Sequence, residues 1–317
     1  MAKKRKNAKK KKVSFWRTWR GFALQILLVA IAVTAIYIYD SLKENRSNDR
    51  TLLADDIAQV HFIDVGQGDC ALITVNGENV MIDCGEVSYG ASVLNYLDRN
   101  NIAKLDYFIV THPHSDHMGC ISELIENVEV DNIIMPNVSE KNIPTTRFYQ
   151  KFLEVSKGIE ITAAATGMVI EIGSAEFTFI SPELDTDSLN ETSLCVIFEH
   201  GENSFVFTGD AETKSEKAFL DSGLLIDCDV YKAGHHGSNT SSTHPFLDVI
   251  LPEYTVVTCG IGNSYGHPSE IFLDRISEYT TSEHLFRLDI LGSTVFESDG
   301  THLSVKFGDT VENLKTD

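Results

Sequence analysis

The segment Thr111-His112-Pro113-His114-Ser115-Asp116-His117-Met118-Gly119 follows directly on the apolar run Phe108-Ile109-Val110. An H-x-H-x-D-H array of four metal-binding side chains is thus hung on the end of a strand, and the fold must close around a cation at that point. Alternate residues of an extended segment point the same way. His112 and His114 therefore converge on one ion, while the tight turn that follows carries Asp116 and His117 towards a second. Imidazole nitrogen with carboxylate oxygen suits Zn²⁺, Mn²⁺ or Fe²⁺ and suits Ca²⁺ or Mg²⁺ poorly. A polar loop of merely solvated histidines is the plain alternative, and so dense a cluster rarely lacks a metal.

From residue 58 onward short strand patterns alternate with amphipathic helices. The chain opens with a strand over 60–65, and strands at 71–75 and 80–82 flank Asn76-Gly77, a strong hairpin signal. A helix at 89–100, a strand at 107–111, a helix at 120–127, a strand near 133–135 and a helix at 146–156 follow. The second half repeats the alternation, with strands near 169–172, 175–181, 194–199 and 204–208 and a helix over 211–221. A helix opened by Pro268 carries Phe272, Ile276 and Tyr279 on one face, and strands at 293–298 and 302–307, joined through Asp299-Gly300, close the domain. Antiparallel strands covered by helices predict two sheets packed face to face with helices outside.

Three further motifs stand at strand ends, where loops carry chemistry. Phe205-Val206-Phe207-Thr208-Gly209-Asp210 presents one carboxylate able to bridge two ions. Val230 to Ser238 presents His235 and His236 beside small residues that allow close approach. Tyr265-Gly266-His267-Pro268 puts a third imidazole at a helix start, where it can meet an anionic substrate. Gly66-Gln67-Gly68 resembles part of a dinucleotide fingerprint, but no helix opens after it, so it reads as a turn. His61, His200, His244, His284 and His302 have no ligand partners nearby in sequence and read as ordinary strand or surface residues.

Charge is unevenly placed. Residues 1–20 carry ten Lys or Arg and no acid, which leaves 16 basic against 46 acidic groups, net −30, in residues 21–317. Between the two parts Gly21–Tyr39 is a run of 19 uncharged, mostly aliphatic residues, about 29 Å long as a helix, which matches a bilayer core. Trp16 and Trp19 at one edge, Tyr37 and Tyr39 at the other, and the basic tail predict a single-pass anchor with its N-terminus cytoplasmic. A cleaved signal peptide, with Val33-Thr34-Ala35 as the cleavage site, is the rival, but the run exceeds the usual length of an h-region. Either reading exports the acidic part. The predicted divisions are a basic tail (1–20), an anchor (21–39), a stalk (40–57), a folded domain carrying the metal-binding motifs (58–308) and a short tail (309–317). The six cysteines are scattered without a C-x-x-C pair and read as buried core residues in need of no disulfide framework.

Taken in order, His61 to Asp69, Met81 to Gly85, Thr111 to Gly119, Thr208-Gly209-Asp210, Ala233 to Ser238 and Tyr265 to Pro268 resemble the motifs of the metallo-β-lactamase superfamily. Within it, they resemble the ComEC-type hydrolase domains over about residues 58–308, and the phosphorylcholine esterases are similar in the same motifs. The resemblance implies an αββα sandwich of the α/β (α+β) class, preceded here by one transmembrane helix, with two divalent metal ions, Zn or Mn, along the sheet edges. It implies that His112 and His114 hold one metal, that Asp116 and His117 hold the other, and that Asp210 bridges. His235 is chosen as the last ligand, although adjacent imidazoles cannot be ranked from sequence, and His236 serves equally. Asp83 is implied as the carboxylate that orients the ligand histidines, with Asp64 structural. Where relatives carry N-x-N-S this chain has Asn190-Glu191-Thr192-Ser193, which puts a role for Asn190 in doubt, and the histidine motif of true metallo-β-lactamases before the bridging Asp is missing. One metal then has fewer protein ligands, as a catalytic site requires, and antibiotic hydrolysis is disfavoured as the native activity.

The function expected is a membrane-anchored, extracytoplasmic phosphodiester hydrolase acting on DNA or on phosphorylcholine-bearing teichoic acid of the cell wall. Asp116 serves the water, Lys232 adds charge at the substrate phosphate, and His267 or His236 protonates the leaving oxygen. The strongly acidic exterior offers DNA no general attraction, which favours the wall polymer, while two divalent ions with a local basic groove, and a resemblance at least as close to the DNA-uptake domains, keep a nuclease open. A tethered binding or assembly protein that keeps the fold is the alternative, and the full ligand set argues against it.

Overall fold

The computed structural model describes residues 56–308 and 310–315, within the second of the chain's two units, Leu52–Asp317. The basic tail, the run Gly21–Tyr39 and the stalk up to residue 55 lie outside the described residues. Among the described residues, no helix is long and apolar enough to cross a membrane.

Strands β1 (Ala58–Phe62), β2 (Cys70–Val75) and β3 (Glu78–Cys84) form an antiparallel meander. Its second turn is closed by Asn76 and Gly77 at φ 54° and 83°, the two positive values that a two-residue hairpin requires. Helix α1 (Gly90–Arg99) then leads to β4 (Lys104–Ile109), and α2 (Ser115–Met118) with α3 (Ile121–Asn127) leads to β5 (Glu129–Pro136). Helix α4 (Arg147–Val155) leads to β6 (Glu160–Ala164), a strand that the sequence reading missed. The sequence predicted antiparallel strands, but β3 to β6 run parallel, because each helix carries the chain back to the edge from which it started.

The second sheet repeats the plan. Strands β7 (Met168–Ile172), β8 (Ala175–Ile180), β9 (Cys195–His200) and β10 (Asn203–Phe207) are antiparallel. Helix α5 (Thr213–Ser222) precedes β11 (Val230–Lys232), α6 (His244–Ile250) precedes β12 (Tyr254–Val257), and α7 (Glu270–Ile276) precedes β13 (Leu285–Arg287). Strands β10 to β13 run parallel. After α8 (Leu288–Leu291), the strands β14 (Thr294–Ser298), β15 (Leu303–Phe307) and β16 (Thr310–Lys315) return to the first sheet, where β14 pairs with β1.

Period-two alternation sorts the side chains into layers. Phe205 and Phe207 point between the sheets with Val60, Phe62, Phe198 and Phe296, while Val206 points outward beneath Phe219 and Phe246 of the covering helices. Phe62 stacks on Phe207 with centroids 5.6 Å apart and meets Phe296 edge-on at 5.7 Å. A third apolar layer, with Leu72, Phe108 and Phe152, joins the first sheet to its helices. The result is a four-layer αββα arrangement. The six cysteines are free and buried, as the sequence reading expected. The strands β4, β10, β11 and β12 are followed by the four loops that carry the imidazoles and carboxylates singled out above.

Candidate metal centre

Thr111 follows β4 and is fixed from two sides, its amide donating to Asp83 Oδ1 (2.8 Å) and its hydroxyl to Asp83 Oδ2 (2.6 Å). Its carbonyl accepts from Leu194 N at 3.0 Å, which ties the first sheet's loop to the second sheet. Gly209, at φ 50°, passes so close that a Cβ there would stand 2.5 Å from Thr111 Oγ1, so only glycine brings Asp210 to this place. Ser193 Oγ accepts the Asp210 amide at 3.1 Å. After β11 the chain makes a tight turn in which His235 (φ 49°, ψ 46°) and His236 (φ 55°, ψ 26°) both take the left-handed conformation. Such backbone costs about 1–3 kcal/mol per residue, and here it splays two neighbouring imidazoles to either side of one carboxylate.

Asp210 faces two groups. Its Oδ1 stands 3.1 Å from His117 Nε2 and 3.4 Å from His236 Nε2, and His236 Nε2 is 3.3 Å from Asp116 Oδ2. Its Oδ2 stands 3.6 Å from His235 Nε2 and 3.9 Å from His112 Nε2, which is 3.0 Å from His114 Nδ1. The six residues expected to bind metal, His112, His114, Asp116, His117, Asp210 and His235, are thus gathered around one carboxylate, with His236 beside Asp116 and His117. Sequence reasoning makes His235 the last ligand with His236 an equal candidate, and also offers His236 as a proton donor. The geometry instead sets His236 among the Asp116 and His117 ligand atoms, with its Nδ1 2.9 Å from the Thr258 carbonyl. His235 is more open, and its Nδ1 lies 3.3 Å from Glu212 Oε1.

The donor set fits divalent cations. His117 Nε2, His236 Nε2 and Asp210 Oδ1 are buried and converge at 3.1 and 3.4 Å without a well-directed hydrogen bond, an arrangement that a cation set between them would satisfy. Ligand atoms of Asp69, His117, Asp210 and His236 all lie within 4.8 Å of one another and can hold a metal ion. Of these, Asp69 approaches the Nδ1 edges of His117 (3.7 Å) and His236 (3.2 Å), away from the Nε2 atoms that face Asp210. Asp116 completes the set on the Nε2 side.

Charge compensation inside the cluster is strong. Burial by itself would lower the imidazoles of His117 and His236, but Asp210 and the neighbouring carboxylates outweigh it and hold both well above the usual value. Burial would raise Asp210, and His236 with His117 hold it well below the carboxylate range instead. A cation entering here displaces protons. His112, which is buried and stands beside His117, is held well below the usual value.

Two expected substrate contacts are placed elsewhere. Lys232 is 3% exposed, in an ion pair with Asp69, and donates to the Gly209 carbonyl at 3.2 Å, so its ammonium is spent inside the fold rather than offered to a phosphate. His267 does reach the rim, its ring 5.5 Å from that of His235, but burial, with His236 and His235 adding to it, lowers its pKa to about 4. It is neutral at pH 7, so it has no acid proton to give a leaving group and can instead accept a hydrogen bond.

Sequence reasoning quoted Asp69 in a motif without giving it a role, and it overlooked Glu212 and the work of residues 190–193. Glu191 is buried and takes the Ser215 amide at 2.8 Å at the start of α5, Ser193 holds Asp210, and Asn190 Nδ2 stands 3.4 Å from His235 Nε2. Asp83 lies 2.7 Å from His117 Nδ1, the orienting position expected of it. Asp64 Oδ1 accepts the Gly66 amide at 2.9 Å and shapes a turn.

A family model described as the metallo-beta-lactamase superfamily matches residues 63–260. ComE operon protein 3 of Bacillus subtilis is 28% identical over 70% of this chain and 31% of its own length. Recombination protein 2 of Haemophilus influenzae is 30% identical over 71% of this chain and 27% of its own length, and competence protein ComA of Neisseria gonorrhoeae is 27% identical over 75% and 32%. This chain therefore spans about a third or less of these relatives. Among solved structures, the metallo-beta-lactamase fold protein YhfI of Bacillus subtilis superposes with a TM-score of 0.53 at 14% identity, covering 77% of this chain and all of its own. CmlA, a diiron beta-hydroxylase from Streptomyces venezuelae, superposes at 0.50 with 13% identity, covering 73% of this chain and 52% of its own. A fold shared with a hydroxylase leaves the reaction to be argued from the site.

Proposed function

This chain belongs to the metallo-beta-lactamase superfamily, and on that premise we propose that it is a metal-dependent hydrolase that cleaves phosphodiesters outside the cell membrane, held there by the run Gly21–Tyr39. The observation that carries the reading is Asp210, set between two groups of ligand atoms on its two oxygens. His112, His114 and His235 with Asp210 Oδ2 would hold one cation, and Asp116, His117 and His236 with Asp210 Oδ1 the other. Zn²⁺ or Mn²⁺ bound there would supply Lewis acidity at the phosphoryl oxygens and lower the pKa of a water towards about 7.

The chain's own residues do the rest. Asp116, 30% exposed where Asp210 is 3%, is the carboxylate placed to accept a hydrogen bond from the attacking water and to orient it. Asp83 and the Thr258 carbonyl hold the imidazoles of His117 and His236 in one orientation. His267, neutral at the rim, accepts a hydrogen bond from the substrate. With Lys232 and His236 buried, the proton for the leaving oxygen is drawn from solvent. The names of the relatives, in competence and recombination, favour DNA as the substrate. The net charge of −30 in residues 21–317 gives DNA no general attraction, so binding would depend on the cations.

The test is hydrolysis of a generic phosphodiester, single-stranded DNA and phosphorylcholine-bearing wall polymer by the full chain in mild detergent, stripped of metal and resupplied with Mn²⁺ or Zn²⁺. Metal-restored turnover that is lost in Asp210→Ala is expected. A folded, metal-loaded protein that turns over none of the three would sink the proposal.

A further inference from the structure

We infer that Lys232 and Asp69 form a positioning pair that makes the two cation positions unequal, so that the one faced by Asp116, His117 and His236 fills first and the one faced by His112, His114 and His235 fills second and more weakly. The inference rests on the metal-centre reading above and adds an order of loading to it.

Lys232 ends β11 in the second sheet and Asp69 precedes β2 in the first, and their side chains are 3% and 8% exposed. Their ion pair crosses from one sheet to the other directly behind the ligands. It lines a cavity with Phe62, Ile82 and Phe207, apolar surroundings in which one charge without the other is costly. Asp69 Oδ1 accepts from Thr258 Oγ1 at 2.5 Å and lies 3.2 Å from His236 Nδ1, and Oδ2 takes the ammonium and lies 3.7 Å from His117 Nδ1. The Asp69 amide donates to the Asp116 carbonyl at 3.1 Å. Asp69 thus holds the Asp116 backbone and sets one anionic charge behind both rings, whose Nδ1 atoms have Asp83 Oδ2 (2.7 Å) and the Thr258 carbonyl (2.9 Å) as hydrogen-bond partners, and Lys232 fixes it while also holding the Gly209 carbonyl next to Asp210 at 3.2 Å.

The other side is braced less. His112 Nδ1 has the Thr111 hydroxyl at 3.4 Å, and His235, 21% exposed, has Glu212 Oε1 at 3.3 Å and Thr240 Oγ1 at 3.4 Å from its Nδ1. Partners that orient ligand imidazoles are worth about 10- to 100-fold in metal affinity. Two positions that share Asp210 but differ this much in bracing should differ in affinity by about that factor.

Calorimetric titration of the metal-free full chain with Mn²⁺ should show two unequal steps, and Co²⁺ absorption should saturate one ligand-field spectrum before the second appears. Lys232→Met should weaken the tighter step about 10- to 100-fold and leave the weaker one within about threefold. Should Lys232→Met fail to fold, the double variant Lys232→Met/Asp69→Asn, which removes both buried charges, carries the same expectation. A folded variant with both steps unchanged, or with both weakened alike, overturns the inference, as does a wild type whose two ions enter in one indistinguishable step. A wild type that takes up no divalent cation removes the metal-centre reading itself, a result distinct from the others.

Discussion

Asp83 Oδ2 lies 2.7 Å from Nδ1 of His117, and the same carboxylate takes both the amide and the hydroxyl of Thr111. One buried group thereby sets the direction of a ligand ring and the course of the loop that bears His112 and His114.

Replacing Asp83 with Asn keeps the shape and removes the charge. The His117 ring loses its anionic partner, and Mn²⁺ affinity should fall about 10- to 100-fold. Calorimetry on the metal-free protein checks this, and an unchanged affinity would show that the contact is packing alone.

Metal should also stabilise the fold. A cation supplied at about 100 times its dissociation constant contributes about 2.7 kcal/mol, or about 5–10 °C in Tm for a domain of this size. Chelation should abolish that gain, and Asp210→Ala, which lacks the shared carboxylate, should show no metal-dependent shift in a thermal melt.

Gly68 stands at φ 147°, and a Cβ there would meet the Asp116 carbonyl at 2.4 Å. Gly68→Ala should push residues 66–69 away from Asp116, destabilise the domain by more than about 1 kcal/mol and weaken metal binding. Denaturant midpoints and a Mn²⁺ titration of the same sample measure both effects, and their failure to appear together would break the link between this loop and the centre.

His61, buried beneath α1 with its Nδ1 2.9 Å from the Tyr96 hydroxyl, has its pKa lowered to about 4 by burial. Below pH 6.5 the unfolded chain binds a proton there that the folded chain refuses. Stability should therefore fall as pH drops from about 6.5 to about 4 and be unaffected by this group above that window. Between pH 7.5 and pH 5, wild type should lose about 2 kcal/mol more than His61→Phe in urea unfolding. Equal losses in the two proteins would place the acid sensitivity elsewhere.

Much of this was legible in the chain because it is local. The strand before Thr111, the Asn76-Gly77 hairpin and the positions of His112 to His117 follow from neighbours a few residues apart. What was hidden depends on distance. Nothing near Lys232 signals that its partner is Asp69 in the other sheet, so its ammonium read as a substrate contact. His235 and His236 differ only through backbone angles set by the turn, and composition does not encode those. Strands β12 and β13 carry too few residues for a period to show, β6 is mostly exposed and shows no apolar alternation, and parallel pairing depends on where the helices return the chain. The Asn190 to Ser193 segment departs from the expected pattern, yet Ser193 and Glu191 do positioning work that only the folded contacts reveal.

Strand β1 lies between β2 and β14, and its Gln59 meets Glu297, a partner 238 residues further along the chain. While the protein is being synthesised, β1 has one neighbour and an open hydrogen-bonding edge, and it gains the second only when the last hairpin emerges. The nascent chain thus carries its first sheet half-closed from β1 until β14 is made. That edge stays open to other chains until the final strands arrive, and truncation after residue 290 should yield an aggregating protein rather than a smaller working one.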